Sequence, residues 1–257
     1  VVRVVNFAHG EMMTIAMYAA VVLFSSFGLD PFLAVLPVAA AFFVLGYALQ
    51  AGLINPFITR PEHSQFMLLV AVALIMVNGL LMVFGPDART VQLDYLLESI
   101  ELGPILVDRG KLYAALVALA TSAGLFSLFR FTLVGKAIRA CADNHQGALV
   151  VGLNVKRYYA LTFGLGSACV AVAGCMMILL VDVTPVLGPA YTLLAFVIVI
   201  VGGLGSMGGA LLGGVLIGVS EAMAGLLIAP SAKSMFSFAL LILVLLFRPQ
   251  GLLGRRA

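Results

Sequence analysis

Long apolar runs alternate with short polar connectors along the chain, and the runs set its architecture. Stretches of helical length fall at about 11–28, 32–50, 66–84, 112–130, 158–180, 191–204, 209–229 and 233–247. A helix needs about 20 apolar residues to cross the hydrocarbon core of a bilayer. The pattern therefore predicts about eight transmembrane segments, with the sixth and eighth short enough to be tilted, broken or re-entrant. Composition agrees. Of 257 residues, 63% are hydrophobic and 10% charged, and mean hydropathy is +1.18. Soluble domains carry nearer half apolar residues and a quarter charged. The predicted fold is an all-α polytopic integral membrane protein, one transmembrane domain over 1–257.

Charge then orients the segments. Lys and Arg are enriched in cytoplasmic loops. Placing the loop at 131–157 inside puts Arg3, Arg60, Arg130, Lys136, Arg139, Lys156, Arg157, Arg248, Arg255 and Arg256 on the inner face. Arg89, Arg109, Lys111 and Lys233 fall outside, with most acids: Asp30, Asp87, Asp94, Glu98, Glu101, Asp108 and Asp182. Both ends are then cytoplasmic. The net charge of +3 and the lack of a Lys/Arg tract argue against nucleic acid. The chain opens at Val1 with no basic leader or cleavage signal, and it reads as cut from something longer. Cys141, Cys169 and Cys175 are odd in number and lack metal spacing, which predicts packing residues.

Two connectors are long. The outer one, about 85–111, has turn signals at Gly85-Pro86 and Gly103-Pro104, and its LDYLLESIEL stretch suggests a short surface helix. The inner one, Gly135–Lys156, reads as a structured knuckle. Asp143 with Gln146 fits a capping box, opening a helix over 144–151 that stops at Gly152 or Asn154. Ahead of it, Lys136 and Arg139 share one face of another short turn. Pattern alone leaves two uses open for this basic surface: binding anionic lipid or docking a partner.

Few residues offer chemistry at membrane depth. In VGGLGSMGGALLGG, Gly205 and Gly209 sit four apart, as close helix packing needs, and the pairs Gly202-Gly203 and Gly208-Gly209 around Ser206 suggest a break between helices that could also serve as a hinge or line a pathway. Glu221 lies within the seventh run, where an ionisable group is costly and functional by default; hydrogen bonding to a neighbouring helix is the structural alternative. Asn78 suggests an interhelical hydrogen bond. Asn6, His9 and Glu11 form a polar cluster near the start, without a second ligand at metal spacing. No catalytic constellation and no metal site is predicted. Nor does Gly135-Lys136 open a phosphate-binding loop, since Ala137 follows and no Gly lies five residues before.

Four stretches, VNFAHGEMMTIAMYAA, GKAIRACADNHQGALVVGLNVKRYYALTFGLGSACVAVAG, VIVIVGGLGSMGGALLGGVLIGVSEA and FRPQGLLG, together resemble the permease subunits of branched-chain amino acid ABC importers. They occur in the family's order and cover about half the chain. Urea and short-amide permeases share these motifs. The resemblance implies the importer permease fold in a bacterial inner membrane, here without the apolar helix that usually precedes NFAHG. It implies a second permease as homo- or heterodimer partner, two cytoplasmic ATP-binding subunits and a periplasmic binding protein that does much of the selecting. The chain itself is then a transporter subunit without cofactor, and ATP acts through the partners. Gly135, Ala137, Arg139, Ala140, Asp143, Ala148 and Gly152 match the segment that couples to the ATPase, tipping the knuckle towards docking. Asn6, His9, Glu11, Gly203, Gly205 and Glu221 are the candidates for translocation or gating. An ion-coupled carrier using Glu221 is the rival reading.

Overall fold

A computed structural model describes residues 6–58, 60–96, 98–102 and 105–254. Arg3, Arg255, Arg256 and the Gly103-Pro104 turn lie outside the described residues. Contacts divide the chain into two compact units, Val1–Pro189 and Ala190–Ala257.

Among the described residues, eight apolar helices follow one another in the order the hydrophobic runs predict. They are α1 (His9–Phe27), α2 (Pro31–Leu49), α3 (Glu62–Phe84), α4 (Arg109–Phe131), α7 (Val155–Met177), α8 (Gly188–Gly202), α9 (Met207–Leu227) and α10 (Lys233–Phe247). Seven are long and apolar enough to cross a membrane, α10 being counted together with the turn at Pro230. The eighth, α8, has 15 residues. At 1.5 Å per residue it falls short of a hydrocarbon core about 30 Å thick. Two short helices, α5 (Leu133–Asp143) and α6 (His145–Val150), form the knuckle between α4 and α7.

The first unit is held by α7, which packs against both α1 and α2. Small residues permit this. A Cβ on Gly164 would lie 2.8 Å from the Phe43 carbonyl of α2, and one on Gly174 would lie 2.7 Å from the Met13 carbonyl of α1. In lipid there is little hydrophobic drive between helices, so close backbone approach and dispersion do the work. Gly46 of α2 faces Ser167 of α7, whose hydroxyl donates back to the Phe163 carbonyl at 2.9 Å. By contrast no residue in the apolar window of α4 is fully buried, although the helix touches α7 and α5 of its own unit.

The long connector departs from expectation. LDYLLESIEL is not a surface helix. A single 3₁₀ turn covers Asp94–Leu96, and Ser99–Leu102 (β1) pairs antiparallel with Ile105–Asp108 (β2), Ser99 opposite Asp108. The β-branched and aliphatic residues of SIEL and ILVD favour this pairing. Asp108 then caps α4, accepting from the Lys111 N–H at 3.2 Å, and Arg109 pairs with Glu98. Tyr95 donates its hydroxyl to Asp30, the N-cap of α2, at 3.0 Å. Burial, and then that hydrogen bond, hold the Tyr95 phenol well above its ordinary range.

Candidate functional site

The knuckle is built as a small domain of its own. Thr132 opens α5 by accepting from the Gly135 N–H at 3.0 Å. The helix is strongly amphipathic, burying Gly135, Ile138 and Cys141 and leaving Lys136 and Arg139 exposed. Gly135 allows the turn back from α4, since a Cβ there would meet the Leu128 carbonyl at 2.3 Å. Cys141 and Ala148 pack with Val155 and Tyr159 of α7, and Ile58 and Leu153 complete the cluster.

The cap differs from the predicted one by a residue. Asp143 is not the N-cap of the second short helix; it is the last residue of α5 and is exposed. Asn144, extended at φ −144°, both ends α5 and starts α6, accepting from the Gly147 N–H at 2.9 Å. Asn and Asp cap about equally well, so the ADN sequence allows either register, and the continuation of α5 to Asp143 selects Asn144. The stop at Gly152 is as predicted. Its φ is +82°, with Gly152 N–H donating to Leu149 and Leu153 N–H to Ala148, both at 3.0 Å, the paired bonds of a glycine-terminated helix. Asn154 serves the next helix instead, capping α7 through the Arg157 N–H.

The seven knuckle positions therefore divide by environment. Gly135 and Ala148 are buried and hold the shape, and Gly152 turns the chain. Arg139, Ala140 and Asp143 are exposed and Ala137 is half-buried. The basic residues Arg60, Arg130, Lys136, Arg139, Lys156 and Arg157 gather at this end of the unit, because Ile58 packs on the knuckle and the Asn55 amide donates to the Lys156 carbonyl.

Burial pushes the Cys141 thiol up. A raised pKa leaves less thiolate at neutral pH, and the thiolate is the nucleophile. Maleimide labelling of Cys141 in membranes is expected to be slow at pH 7 and to quicken by about tenfold per pH unit, the ordinary thiol titration. Fast labelling at pH 7 in the native protein would contradict this packing.

The polar start of α1 makes two short-range contacts. Asn6 Oδ1 accepts from the Ala8 N–H at 3.0 Å, and His9 Nδ1 lies 2.5 Å from the Asn6 carbonyl. Glu11 is 4% exposed in the first turn of α1, where the helix dipole favours an anion. Gly188, at the start of α8, lies against it: a Cβ there would be 2.9 Å from the Glu11 Cα. Among the described residues, no group of three His, Cys, Asp or Glu side chains could hold a metal ion.

In the second unit the helix break falls at residues 203–206, as the Gly202-Gly203 pair predicts, whereas Gly208-Gly209 lie within α9. Gly203 and Gly205 have φ of +104° and +84°, a region costly for residues with a Cβ. Ser206 caps α9 by accepting from Gly209 N–H at 3.0 Å. What the glycine pattern did not reveal is the partner of this break. The tail after α10 folds back along it, and the N–H groups of Leu252 and Leu253 donate to the Val201 and Gly202 carbonyls at 2.9 and 3.0 Å. These are the last carbonyls of α8, which a helix cannot satisfy internally. Gly251, at φ +78°, and Gly254 sit so close to Gly203 that no Cβ fits between them.

Glu221 is half-buried on α9 and accepts a 2.6 Å hydrogen bond from the Ser237 hydroxyl of α10; Ser237 is 1% exposed. One turn along, the Lys233 stem packs over Gly225. Glu221 thus accepts a hydrogen bond across the α9–α10 contact. Asn78, expected to bond between helices, instead donates to the Leu74 carbonyl of its own helix and is exposed.

Residues 1–245 match the family model described as branched-chain amino acid transport system, permease component. The chain belongs to this family. Its relatives include the high-affinity branched-chain amino acid transport system permease protein LivH of Escherichia coli, 28% identical over 277 aligned residues, covering 99% of this chain and 87% of LivH. The corresponding protein BraD of Pseudomonas aeruginosa is 28% identical over 268 residues, with the same coverage. A probable LivH of Methanocaldococcus jannaschii is 28% identical over 272 residues, covering 98% of this chain and 84% of that protein. No solved structure matches the chain. As a member of this permease family the protein is a multi-span transport subunit, in line with its eight apolar helices.

Proposed function

We propose that this permease forms the translocation pathway of an ATP-driven importer of branched-chain or related amino acids in a bacterial inner membrane. On this reading the knuckle faces the cytoplasm and docks on one of two ATP-binding subunits, a second permease completes the pathway, and a periplasmic binding protein delivers substrate. ATP then acts on the partners and this chain needs no nucleotide site. The observation that carries the reading is the knuckle itself. Its glycines, caps and apolar cluster hold α5 and α6 on the ends of α4 and α7, while Arg139 and Asp143 project from it. A push there is delivered to α7, around which α1 and α2 are packed.

Replacing Arg139 and Asp143 together by alanine should leave insertion into the membrane and ATP hydrolysis by the complex intact. ATP-dependent uptake into proteoliposomes should fall by about tenfold or more, on the scale of about 1.5–3 kcal/mol for charge-assisted hydrogen bonds lost at an interface. Undiminished uptake in that variant rules out coupling through these side chains.

Glu221 is given a different role, as a hydrogen-bond acceptor between α9 and α10. A Glu221→Gln variant keeps an acceptor oxygen for Ser237, so uptake is expected to stay within about twofold of wild type. A proton- or sodium-driven uptake without ATP, lost in that variant, would instead identify an ion-coupled carrier.

A further inference from the structure

We propose that Tyr18 and Arg89 form a carboxylate-recognition point in the first unit, at the end of the helix bundle opposite the knuckle. The inference rests on the importer reading for its substrate class, an amino acid bearing a free carboxylate. Three buried side-chain atoms of the described residues lack a hydrogen-bond partner: Tyr18 Oη, Gln50 Oε1 and Gln65 Oε1. The two glutamine oxygens are acceptors on amides whose nitrogens are already engaged, with Asn55 and with the Ile58 and Arg60 carbonyls. Tyr18 is the one that brings a donor. It is 1% exposed on α1, and an unmade hydrogen bond at such a site costs about 1–3 kcal/mol.

Its surroundings supply a cation. The Tyr18 ring stacks on Phe84, the last residue of α3, with centroids 4.4 Å apart. The Arg89 guanidinium lies over the same Phe84 ring, 4.9 Å from its centroid, and donates one hydrogen bond to the Phe84 carbonyl at 3.2 Å. Arg89 is anchored at its backbone. Its N–H donates to Val183 and its carbonyl accepts from Val183, at 2.9 and 2.8 Å, and Val183 is fully buried. The charged side chain is thus held in place while its ionic capacity stays unused. Among the described residues neither Asp87 nor Asp182, the acids nearest in sequence to this junction, pairs with Arg89.

A guanidinium presents a planar fork of donors matched to a carboxylate, and a phenol hydroxyl adds one more. Both are held by a common aromatic ring, the phenol buried and the guanidinium exposed, and an anion gains more from a buried donor than from one in water. A neutral amide or urea lacks the charge that makes this combination favourable. The arrangement therefore selects for the free acid over its amide.

The test is equilibrium binding of radiolabelled leucine and of leucinamide to the purified complex of permease and ATP-binding subunits, without binding protein. ATP-dependent uptake is measured in parallel, and variants are Tyr18→Phe and Arg89→Gln. Tyr18→Phe removes only the hydroxyl and keeps the stack on Phe84, so folding is preserved. Each variant is expected to weaken leucine binding by about tenfold while leucinamide binding is unchanged. Unchanged leucine binding in both variants overturns the proposal, as when the Tyr18 hydroxyl merely holds a water. So does an equal loss for acid and amide. A complex that shows the acid-specific loss but no ATP-dependent uptake keeps the carboxylate site and removes the importer reading.

Discussion

Gly203→Val is expected to prevent the permease from accumulating in the membrane. Two costs coincide at that residue. Its backbone lies at φ +104°, which for a β-branched side chain costs about 1–3 kcal/mol. Its Cβ would also fall 2.3 Å from the backbone nitrogen of Gly254, where neither backbone can yield. Overpacking of this kind adds about 1–3 kcal/mol. Together they come to about 2–6 kcal/mol, a large fraction of the stability of an ordinary domain, about 5–15 kcal/mol. Membrane-fraction protein measured by immunoblot should fall to a small part of wild type. Gly218 of α9 is the internal comparison, since nothing lies within 4 Å of a Cβ there. Gly218→Ala should be neutral or gain about 0.5–1 kcal/mol from helix propensity. Equal abundance of the Gly203→Val protein would show that the tail does not sit on the break.

The second large effect belongs to the knuckle. Gly135→Val places carbon atoms where the Leu128 carbonyl and Phe129 Cα already lie, at 2.3 and 2.5 Å. This strain falls on the α4–α5 junction, well away from the packing of α7 on α1 and α2. The expected phenotype is a protein present in the membrane at near wild-type level whose α5 is displaced. Cys141 reports on it directly. Buried in the native knuckle at 1% exposure, it should label with maleimide at pH 7 at least about tenfold faster once α5 lifts away, because both exposure and thiolate fraction rise. ATP-driven uptake should fall with the same variant. Fast labelling with normal uptake would separate the knuckle's packing from transport.

Much of this is legible in the sequence itself. The hydrophobic runs located all eight apolar helices, because a span must be apolar over its whole length and that signal is strong. Gly152 and Gly203 are legible as turning points because only glycine adopts their backbone at little cost, whereas Gly205 reads as a packing glycine and turns the chain as well. Errors arose where one residue type serves two neighbouring positions equally. Asp143 and Asn144 are both good caps, and the choice depends on where α5 ends. SIEL and LESIEL carry alternation weak enough to read as helix, and the β1–β2 pairing that decides it involves residues beyond the segment. Glu221 and Asn78 show a third limit. Each was marked as polar inside an apolar run, but whether its partner lies across the helix interface or on the same helix depends on side-chain direction, which spacing does not encode. Tyr18 carried no signal at all in the sequence, since a tyrosine in an apolar run looks like any other packing residue until its hydroxyl is found without a partner.

The tail laid across the glycine break has a consequence for how the protein is made. Until Leu252 and Leu253 have left the ribosome, the carbonyls of Val201 and Gly202 have no N–H to accept from. A chain stalled or cleaved after Phe247 would expose bare peptide groups at the end of α8, and in a lipid environment such groups cost several kcal/mol each. The second unit is therefore completed by the turn at residues 248–254, and a membrane protease that recognises unpaired peptide groups at this break would distinguish chains that have formed that turn from those that have not.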